Sequence, residues 1–417
     1  MAIPDLPKDL VEDEILCRVP ATSLKRLRST CKRWNRLFKD DRRFASEHCE
    51  KAAKEFLFLI LTEKMRICTV SKINLPQHGD DALPPPSPSV EVGRELSLPD
   101  PYYNNSEQFD IDEAFPCDGL LLCTHDGHPG RGSQIVVWNP LNGQTRWIET
   151  GNRCRRGGLF VLGYCCIGKR RRRRRRRSYK VLSWGYSFKN AEIYELNSDV
   201  VDSWRRIPDD DLDPPGWCIR IHNDSSVSFK GNTYFFACEE SKPHLGWSLF
   251  RFDFSTEKSS LFVPLSSQCP LPEVMRLSVA VGGEKLSVLL QPDCTSKAEI
   301  WVTSKIDDST TTKAVSWNKV LALDLSRDLQ INDLVRFVFD EDKKVAVCCQ
   351  KWVHADGIHC NDKVYFLGED NKVSEFGFGL KVDDLGMSDI WPVIHNYVPS
   401  LVHIELPVGG KRKRGSS

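Results

Sequence analysis

The sequence predicts an α+β, mainly β fold: a small helical domain at the N-terminus, followed by a large antiparallel β domain that we expect to form an irregular propeller. Two observations favour this architecture. Apolar residues recur at helical spacing only up to about residue 54, and the later segments are short apolar runs separated by turn-forming residues. The later runs also pair into hairpins that return roughly every 50 to 60 residues.

The N-terminal helices are predicted from the spacing of apolar residues and from one proline. Ile15, Leu16 and Val19 lie on one helical face, and Pro20 ends that helix. A second apolar stripe runs from about residue 23 to residue 38. Helices this short cannot build their own core, so their apolar faces must be buried on the rest of the chain or on a second protein.

The β domain is predicted from its hairpins. In the clearest one, Asn142-Gly143 separates two apolar strands within residues 135–148. Comparable pairs occupy residues 192–207 and 249–263. The spacing is similar to that of kelch-like propeller blades, and about six such blades fit between the helices and the C-terminal tail. A pair of β-sandwiches could use the same strands and is the alternative fold.

These patterns divide the chain into three parts. We predict a helical domain over residues 1–54, a β domain over 55–408 and a basic tail over 409–417. Four consecutive basic residues in the tail form a candidate nuclear-import signal: Lys411, Arg412, Lys413 and Arg414.

Two segments of the β domain are predicted to be exposed loops. A proline cluster predicts one at about residues 74–101. Arginine fills every position from Arg170 to Arg177, and such a run of like charge predicts the other, at residues 169–178. The run could serve nuclear import or RNA binding, or it could be an expanded loop with no role. No aromatic residue interleaves it, which disfavours stacking on single-stranded nucleic acid.

Composition excludes several classes of protein. The chain has 417 residues and a formal net charge of +1, so no overall field favours nucleic acid or a membrane as partner. Its 16 cysteines are scattered without a C-x-x-C pair, and no secretory leader is recognisable. Free thiols suit a reducing compartment, and we therefore expect the protein in the nucleus, the cytoplasm or both.

The sequence contains none of the common catalytic or nucleotide-binding motifs. We expect no catalytic residues, no cofactor and no metal. Two groups of potential zinc ligands lack the short repeated spacing of structural zinc sites: Cys117, Cys123, His125 and His128 in one, and His354, His359 and Cys360 in the other.

The N-terminal segment resembles an F-box. The positions that carry the resemblance appear in order: Leu6-Pro7, Leu10-Val11, Ile15-Leu16, Val19-Pro20, Leu24, Leu27-Arg28, Cys31-Lys32 and Trp34. The sequence from Arg18 to Asp40 is similar to that of plant F-box proteins with a C-terminal F-box-associated (type 1, kelch-like) domain. The segments CDGLLLC, VVWNP and YVPSLVHI of the β domain look like that second domain, so the resemblance covers most of the chain.

The resemblance implies that the helices dock on a Skp-type adaptor and, through it, on cullin and RING subunits. It assigns adaptor binding to Leu6, Pro7, Leu10, Ile15, Leu16, Val19, Pro20, Leu24, Leu27, Trp34 and Leu37. One feature departs from the family: three residues, Glu12 to Glu14, separate Leu-Val from Ile-Leu where two are usual. In a continuous α-helix the extra residue would rotate Leu10 and Val11 by about 100° relative to Ile15 and Leu16.

We therefore expect a non-catalytic substrate-recognition subunit of a cullin–RING ubiquitin ligase, whose β domain binds an unidentified target protein. Two alternatives stay open. The altered spacer would allow an interaction protein without a ligase role. The 11 tryptophans would allow a carbohydrate-binding β domain, although most of them recur at equivalent hairpin positions and suit packing better.

Overall fold

A computed structural model gives the fold of the chain. It describes residues 6–62, 64–74, 89–101, 107–125, 133–150, 159–167, 176–184, 190–196, 204–212, 214–220, 226–265, 272–292, 297–306, 315–324, 335–353, 360–368, 373–377 and 393–404. The candidate import signal in the basic tail lies outside the described residues, as do residues 168–175 of the arginine run.

The N-terminal domain is helical, as predicted. It opens with a π-helical segment, Leu10–Ile15, and a 3-10 turn, Leu16–Arg18. Three α-helices follow: α1 (Ala21–Leu27), α2 (Lys32–Asp40) and α3 (Arg42–Lys51). Asp41 caps α3 by accepting a hydrogen bond of 2.9 Å from the backbone N–H of Phe44, which explains why that helix begins where it does.

The β domain is an antiparallel propeller of six sheets. The first two sheets contain β1 (Leu57–Leu61), β2 (Ile67–Asn74), β3 (Ser89–Glu95), β4 (Glu113–Cys117), β5 (Leu120–His125), β6 (Gln134–Asn139) and β7 (Gln144–Ile148). The third and fourth contain β8 (Leu159–Ile167), β9 (Arg176–Trp184), β10 (Glu192–Glu195), β11 (Arg205–Arg206), β12 (Trp217–Arg220), β13 (Val227–Phe229), β14 (Asn232–Glu239), β15 (Trp247–Asp253) and β16 (Lys258–Pro264). A single helical turn, α4 (Asp209–Leu212), connects β11 to β12.

The last two sheets complete the ring. They contain β17 (Pro272–Val279), β18 (Leu286–Pro292), β19 (Lys297–Thr303), β20 (Trp317–Asp324), β21 (Arg336–Asp340), β22 (Val345–Val353), β23 (Cys360–Gly368) and β24 (Val373–Gly377). The final strand, β25 (Val393–Tyr397), does not start a seventh sheet. It pairs antiparallel with β1, with Leu59 opposite His395, and so the C-terminus closes the first blade.

The innermost strands surround a central channel. Strand β13 lies against β4 and β17, while β21 lies against β17 and β25. Apolar side chains fill each of the six interfaces between neighbouring sheets. Two of the hairpin tryptophans, Trp138 and Trp301, are buried in these interfaces, as is Trp184 on β9. Their burial supports a packing role and weakens the argument for sugar stacking.

Two predicted loops are shorter than expected. Strand β3 lies inside the proposed proline-rich loop 74–101, because Ser89 to Val92 alternates polar and apolar residues and pairs with β2. Strand β9 begins at Arg176, so the last two arginines and Ser178 are not in a loop. The prediction failed there because it treated the arginine run as uniformly solvated, whereas Arg177 finds a carboxylate partner.

Candidate functional site

The three-residue spacer of the first helix is accommodated by its π-helical geometry. The backbone N–H of Leu16 donates to the carbonyl of Val11, five residues earlier, so the turn contains one residue more than an α-helical turn. Val11 and Leu16 are therefore both buried, at 7% and 4% exposure. Leu10 and Ile15 both face solvent, at 42% and 40% exposure. The rotation expected from a continuous α-helix does not occur.

Ion pairs hold the spacer against its own domain. The Glu12 carboxylate lies 2.5 Å from the Arg33 guanidinium on α2. Asp13 accepts from Arg43 on α3 at 2.9 Å. Its backbone carbonyl also accepts from the Lys51 ammonium at 3.2 Å. The spacer is thus paired with the neighbouring helices rather than bulged into solvent.

Deletion of Asp13 tests this account of the spacer. We expect the π turn to become an α turn that keeps Leu10 and Ile15 outward and Val11 and Leu16 inward. The deletion reduces the separation within each of these pairs from five residues to four, which is one α-helical turn. The deletion removes the ion pair with Arg43 and the backbone carbonyl that accepts from Lys51. Both contacts are exposed, and such contacts contribute about 0.5 kcal/mol each, so adaptor affinity should change less than about fivefold. Calorimetric titration with a Skp-type adaptor measures it, and a loss above about tenfold would show that the π turn itself is needed.

The predicted adaptor-binding residues fall into three groups by exposure. Leu16 and Leu24 are buried in the core of the helical domain. Six are partly buried: Leu6, Val19, Pro20, Leu27, Trp34 and Leu37. Pro7, Leu10 and Ile15 are exposed and form what we call the docking surface. Leu16 and Leu24 can therefore support docking only indirectly, by holding the helices together.

The helical domain shares its core with the propeller. Leu141, in the turn between β6 and β7, and Leu401, near the C-terminus, pack into the same cluster as Leu24 and Phe44. Sequence reasoning missed both propeller residues. The only signal was an apolar side chain inside a turn, where a polar residue is usual. The two domains are consequently joined by buried apolar contact as well as by the linker.

Hydrogen bonds reinforce this junction. The backbone N–H of Ala53 donates to the carbonyl of Arg18 at 3.1 Å, which ties the linker to the first helix. The Asn139 amide donates to the carbonyls of Ser400 and Val402, at 3.0 and 2.8 Å, and so fixes the C-terminal segment on β6. The orientation of the helical domain on the propeller is therefore determined by contacts from both ends of the chain.

His48 makes the helical domain sensitive to acid. Burial lowers the pKa of this histidine, and its neutral Nε2–H donates to the Val19 carbonyl at 2.8 Å. Below about pH 6.5 the unfolded chain takes up a proton that the folded chain resists, so stability falls as pH falls, by at most about 1.4 kcal/mol per pH unit for one group. We expect a lower melting temperature at pH 5.5 than at pH 7.5. The drop should shrink in His48→Gln; an unchanged drop would contradict this role.

A second cluster lies where the channel meets the helical domain. Asp118 follows β4 in a tight turn with φ of +54° and accepts hydrogen bonds from Arg177, at 2.7 Å, and from the Tyr179 hydroxyl. The Arg177 guanidinium also lies 4.9 Å from the centre of the Tyr164 ring. The first residues of β9 are therefore anchored to the neighbouring blade by a paired charge.

The helical domain contributes a thiol to this cluster. Cys49 lies 3.2 Å from the Ser400 hydroxyl. Burial, together with the negative charge of Asp118, raises the pKa of Cys49 to about 11, so the thiol stays protonated at neutral pH. A protonated, partly buried thiol of this kind is a packing group and not a nucleophile.

The candidate zinc ligands serve other roles where the structure describes them. Cys117 and Cys123 are buried, and burial raises the pKa of Cys117 to about 12. The His125 ring pairs with Asp112 at 3.1 Å. Among the described residues there is no cluster of three or more groups able to hold a metal ion. No helix in that part of the chain is both long and apolar enough to cross a membrane.

Comparison with known proteins assigns both domains. Residues 3–46 match the F-box domain, and residues 57–404 match the F-box associated beta propeller domain. The F-box protein ETP1 of Arabidopsis thaliana is 57% identical, with all of both chains aligned. The F-box protein ETP2 of the same organism is 50% identical, covering 98% of each chain. An F-box/kelch-repeat protein of that organism is 47% identical over 99% of this chain and 100% of its own. The chain belongs to the F-box proteins that carry an F-box-associated β-propeller domain.

Proposed function

We propose that this protein is the substrate-recognition subunit of a cullin–RING ubiquitin ligase. A Skp-type adaptor would bind the docking surface, and the propeller would bind the target protein. The observation that supports this most directly is the pair Leu10 and Ile15, two large apolar side chains exposed side by side on a domain whose other apolar face is already buried on the propeller. Exposed apolar residues grouped in this way are typical of protein interfaces.

The shared core explains how such a receptor would work without catalytic residues. A helical domain held rigidly on the propeller keeps a bound target at a fixed distance from the adaptor. Ubiquitin transfer is then accelerated by raised local concentration, and the chemistry belongs to the recruited enzymes. The helical domain covers the propeller face that carries the β6–β7 turn, which leaves the opposite face for a target. The many free cysteines support a nuclear or cytoplasmic location.

Affinity purification of the tagged full-length chain from plant cells tests the proposal. We expect the adaptor and a cullin to co-purify, and ubiquitinated proteins to accumulate in the sample when the proteasome is inhibited. Recovery of targets without adaptor or cullin would instead favour an interaction protein with no ligase role.

A further inference from the structure

Two cysteines of the fourth blade face each other across neighbouring strands. Cys218 on β12 lies directly opposite Cys238 on β14 in the antiparallel register. Among the strand pairs that the structure describes, no other position sets one cysteine opposite another. The fold therefore brings together two thiols that are distant in the sequence.

The separation of the two strands suits a disulfide bond. The Cα atoms of directly opposite residues in an antiparallel pair are about 4.5 to 5.5 Å apart, and disulfides join Cα atoms separated by about 4.4 to 6.8 Å. Opposite residues also project from the same face of the sheet. The Cys238 thiol lies within hydrogen-bonding reach of the Cys218 sulfur. Rotation of the two side chains, without a change in strand pairing, is therefore enough to join the sulfur atoms.

The two thiols differ in their access to solvent. Cys218 is exposed, whereas Cys238 is half-buried. Burial, together with the negative charges of the Cys218 thiolate and of Glu240, raises the pKa of Cys238, so this thiol stays protonated at neutral pH. Oxidation of a cysteine requires access of the oxidant to the sulfur atom. A dissolved oxidant therefore reaches Cys218 first, and Cys238 is placed to react with the oxidised Cys218.

We propose that Cys218 and Cys238 are a redox modification site, which forms a reversible disulfide when the protein is exposed to hydrogen peroxide. The peroxide transfers one oxygen atom to the Cys218 sulfur, which gives a sulfenic acid and releases water. The Cys238 sulfur then attacks the Cys218 sulfur. The S–S bond forms as the S–O bond breaks, and the hydroxyl group leaves with the Cys238 proton as a second water. The two thiols together lose two electrons, and one peroxide molecule is reduced to two molecules of water.

The disulfide would fasten a short strand at the end of the blade. Strands β12 and β13 both pair with β14, and β12 does so through only four residues. Gly231, just before β14, lines the end of the central channel that α3 covers, so Cys238 lies toward the opposite end of the same strand. The disulfide would therefore leave the junction with the helical domain unchanged. Exposed disulfides are readily reduced by cellular thiols, which suits a transient bond in a reducing compartment.

Peroxide treatment of the purified full-length protein tests the proposal. After oxidation with hydrogen peroxide and alkylation of the remaining thiols, we expect a tryptic digest to contain residues 207–220 linked to residues 231–251. Reduction with dithiothreitol should separate the two peptides again. Absence of this linked pair after oxidation, or a link from Cys218 to a different cysteine, overturns the proposal.

Cys166 supplies a matched control for the substitution of Cys218. Cys166 is also exposed, but the residue opposite it, on β9, is Arg177. Cys166→Ser should leave the linked peptides unchanged, whereas Cys218→Ser should abolish them and leave Cys238 open to alkylation. Loss of the link in both variants would attribute it to general exposure of thiols and overturn the proposal.

A second probe tests the adjacency of the thiols without oxidation. Phenylarsine oxide is a trivalent arsenical that binds two neighbouring thiols at once. We expect the reduced protein to lose one equivalent of bound arsenical in Cys218→Ser and in Cys238→Ser, but none in Cys166→Ser. An unchanged stoichiometry in Cys218→Ser would show that the two thiols do not lie together and would overturn the assignment.

Discussion

Gly119→Ala is expected to destabilise the protein more than any other single methyl group added to a turn of the second blade. Gly119 has φ of +80°, and a Cβ there would lie 2.3 Å from the Ser400 Cβ and 2.8 Å from the Val398 carbonyl. The left-handed backbone costs an alanine about 1 to 2 kcal/mol, and the overlap adds about 1 to 3 kcal/mol. The displaced segment also carries Leu401, so the helical domain should loosen from the propeller.

Gly143→Ala is the matched control. Gly143 lies in another turn of the same blade, with φ of +76°, but a Cβ there meets nothing within 4 Å. The free energy of unfolding of Gly143→Ala should fall only by the cost of the left-handed backbone, about 1 to 2 kcal/mol. Urea unfolding measures both variants, and proteolysis between the domains reports the junction. Equal losses of unfolding free energy in the two variants would mean that the C-terminal segment is not packed on Gly119 as described.

The double substitution Leu10→Glu, Ile15→Glu is expected to abolish adaptor binding while leaving the fold intact. Both side chains are exposed, so their replacement removes little from the core of the free protein. About two fifths of each side chain is exposed, so burying that part at an interface contributes about 0.6 to 1.2 kcal/mol each, and desolvating each new carboxylate there costs about 1 to 3 kcal/mol. Together these terms raise the dissociation constant at least about a hundredfold. Titration of a purified Skp-type adaptor measures the effect, and the melting temperature verifies the fold.

The propeller supplies a matched control for this double variant. Leu245 and Leu261 are exposed to a similar degree, at 54% and 43%, but lie on the fourth blade. Leu245→Glu, Leu261→Glu introduces the same charges away from the docking surface and should leave adaptor affinity unchanged. Equal weakening by both double variants would attribute the effect to net charge instead of to the docking surface.

Local patterns in the sequence predicted the parts of the fold that depend on local physics. The alternation of apolar residues and the Asn142-Gly143 turn identified the β6–β7 hairpin, and hairpin spacing indicated six blades, which the structure confirms. The cap of α3 by Asp41 is likewise a contact between residues three apart. These features are set by backbone conformation and by the side chains within a few residues.

The features that the sequence did not reveal depend on distant partners. The π turn keeps Val11 and Leu16 on one face although three residues separate the two apolar pairs, and its spacer pairs with Arg33 and Arg43 on later helices, which the local pattern did not identify. The junction joins Leu24 to Leu401, at opposite ends of the chain. Arg177 was assigned to a solvated run because its partner, Asp118, lies in another blade. Contacts of this kind follow from topology, which a single sequence does not display.

Titration of the purified full-length protein with a purified Skp-type adaptor tests the central claim most directly. The claim is that Pro7, Leu10 and Ile15 form a preformed docking surface on a helical domain fixed to the propeller. We predict a 1:1 complex with a dissociation constant of about 1 μM or lower, and protection of residues 6–20 from hydrogen exchange. No complex at an adaptor concentration of about 100 μM, with the fold intact, would contradict the account.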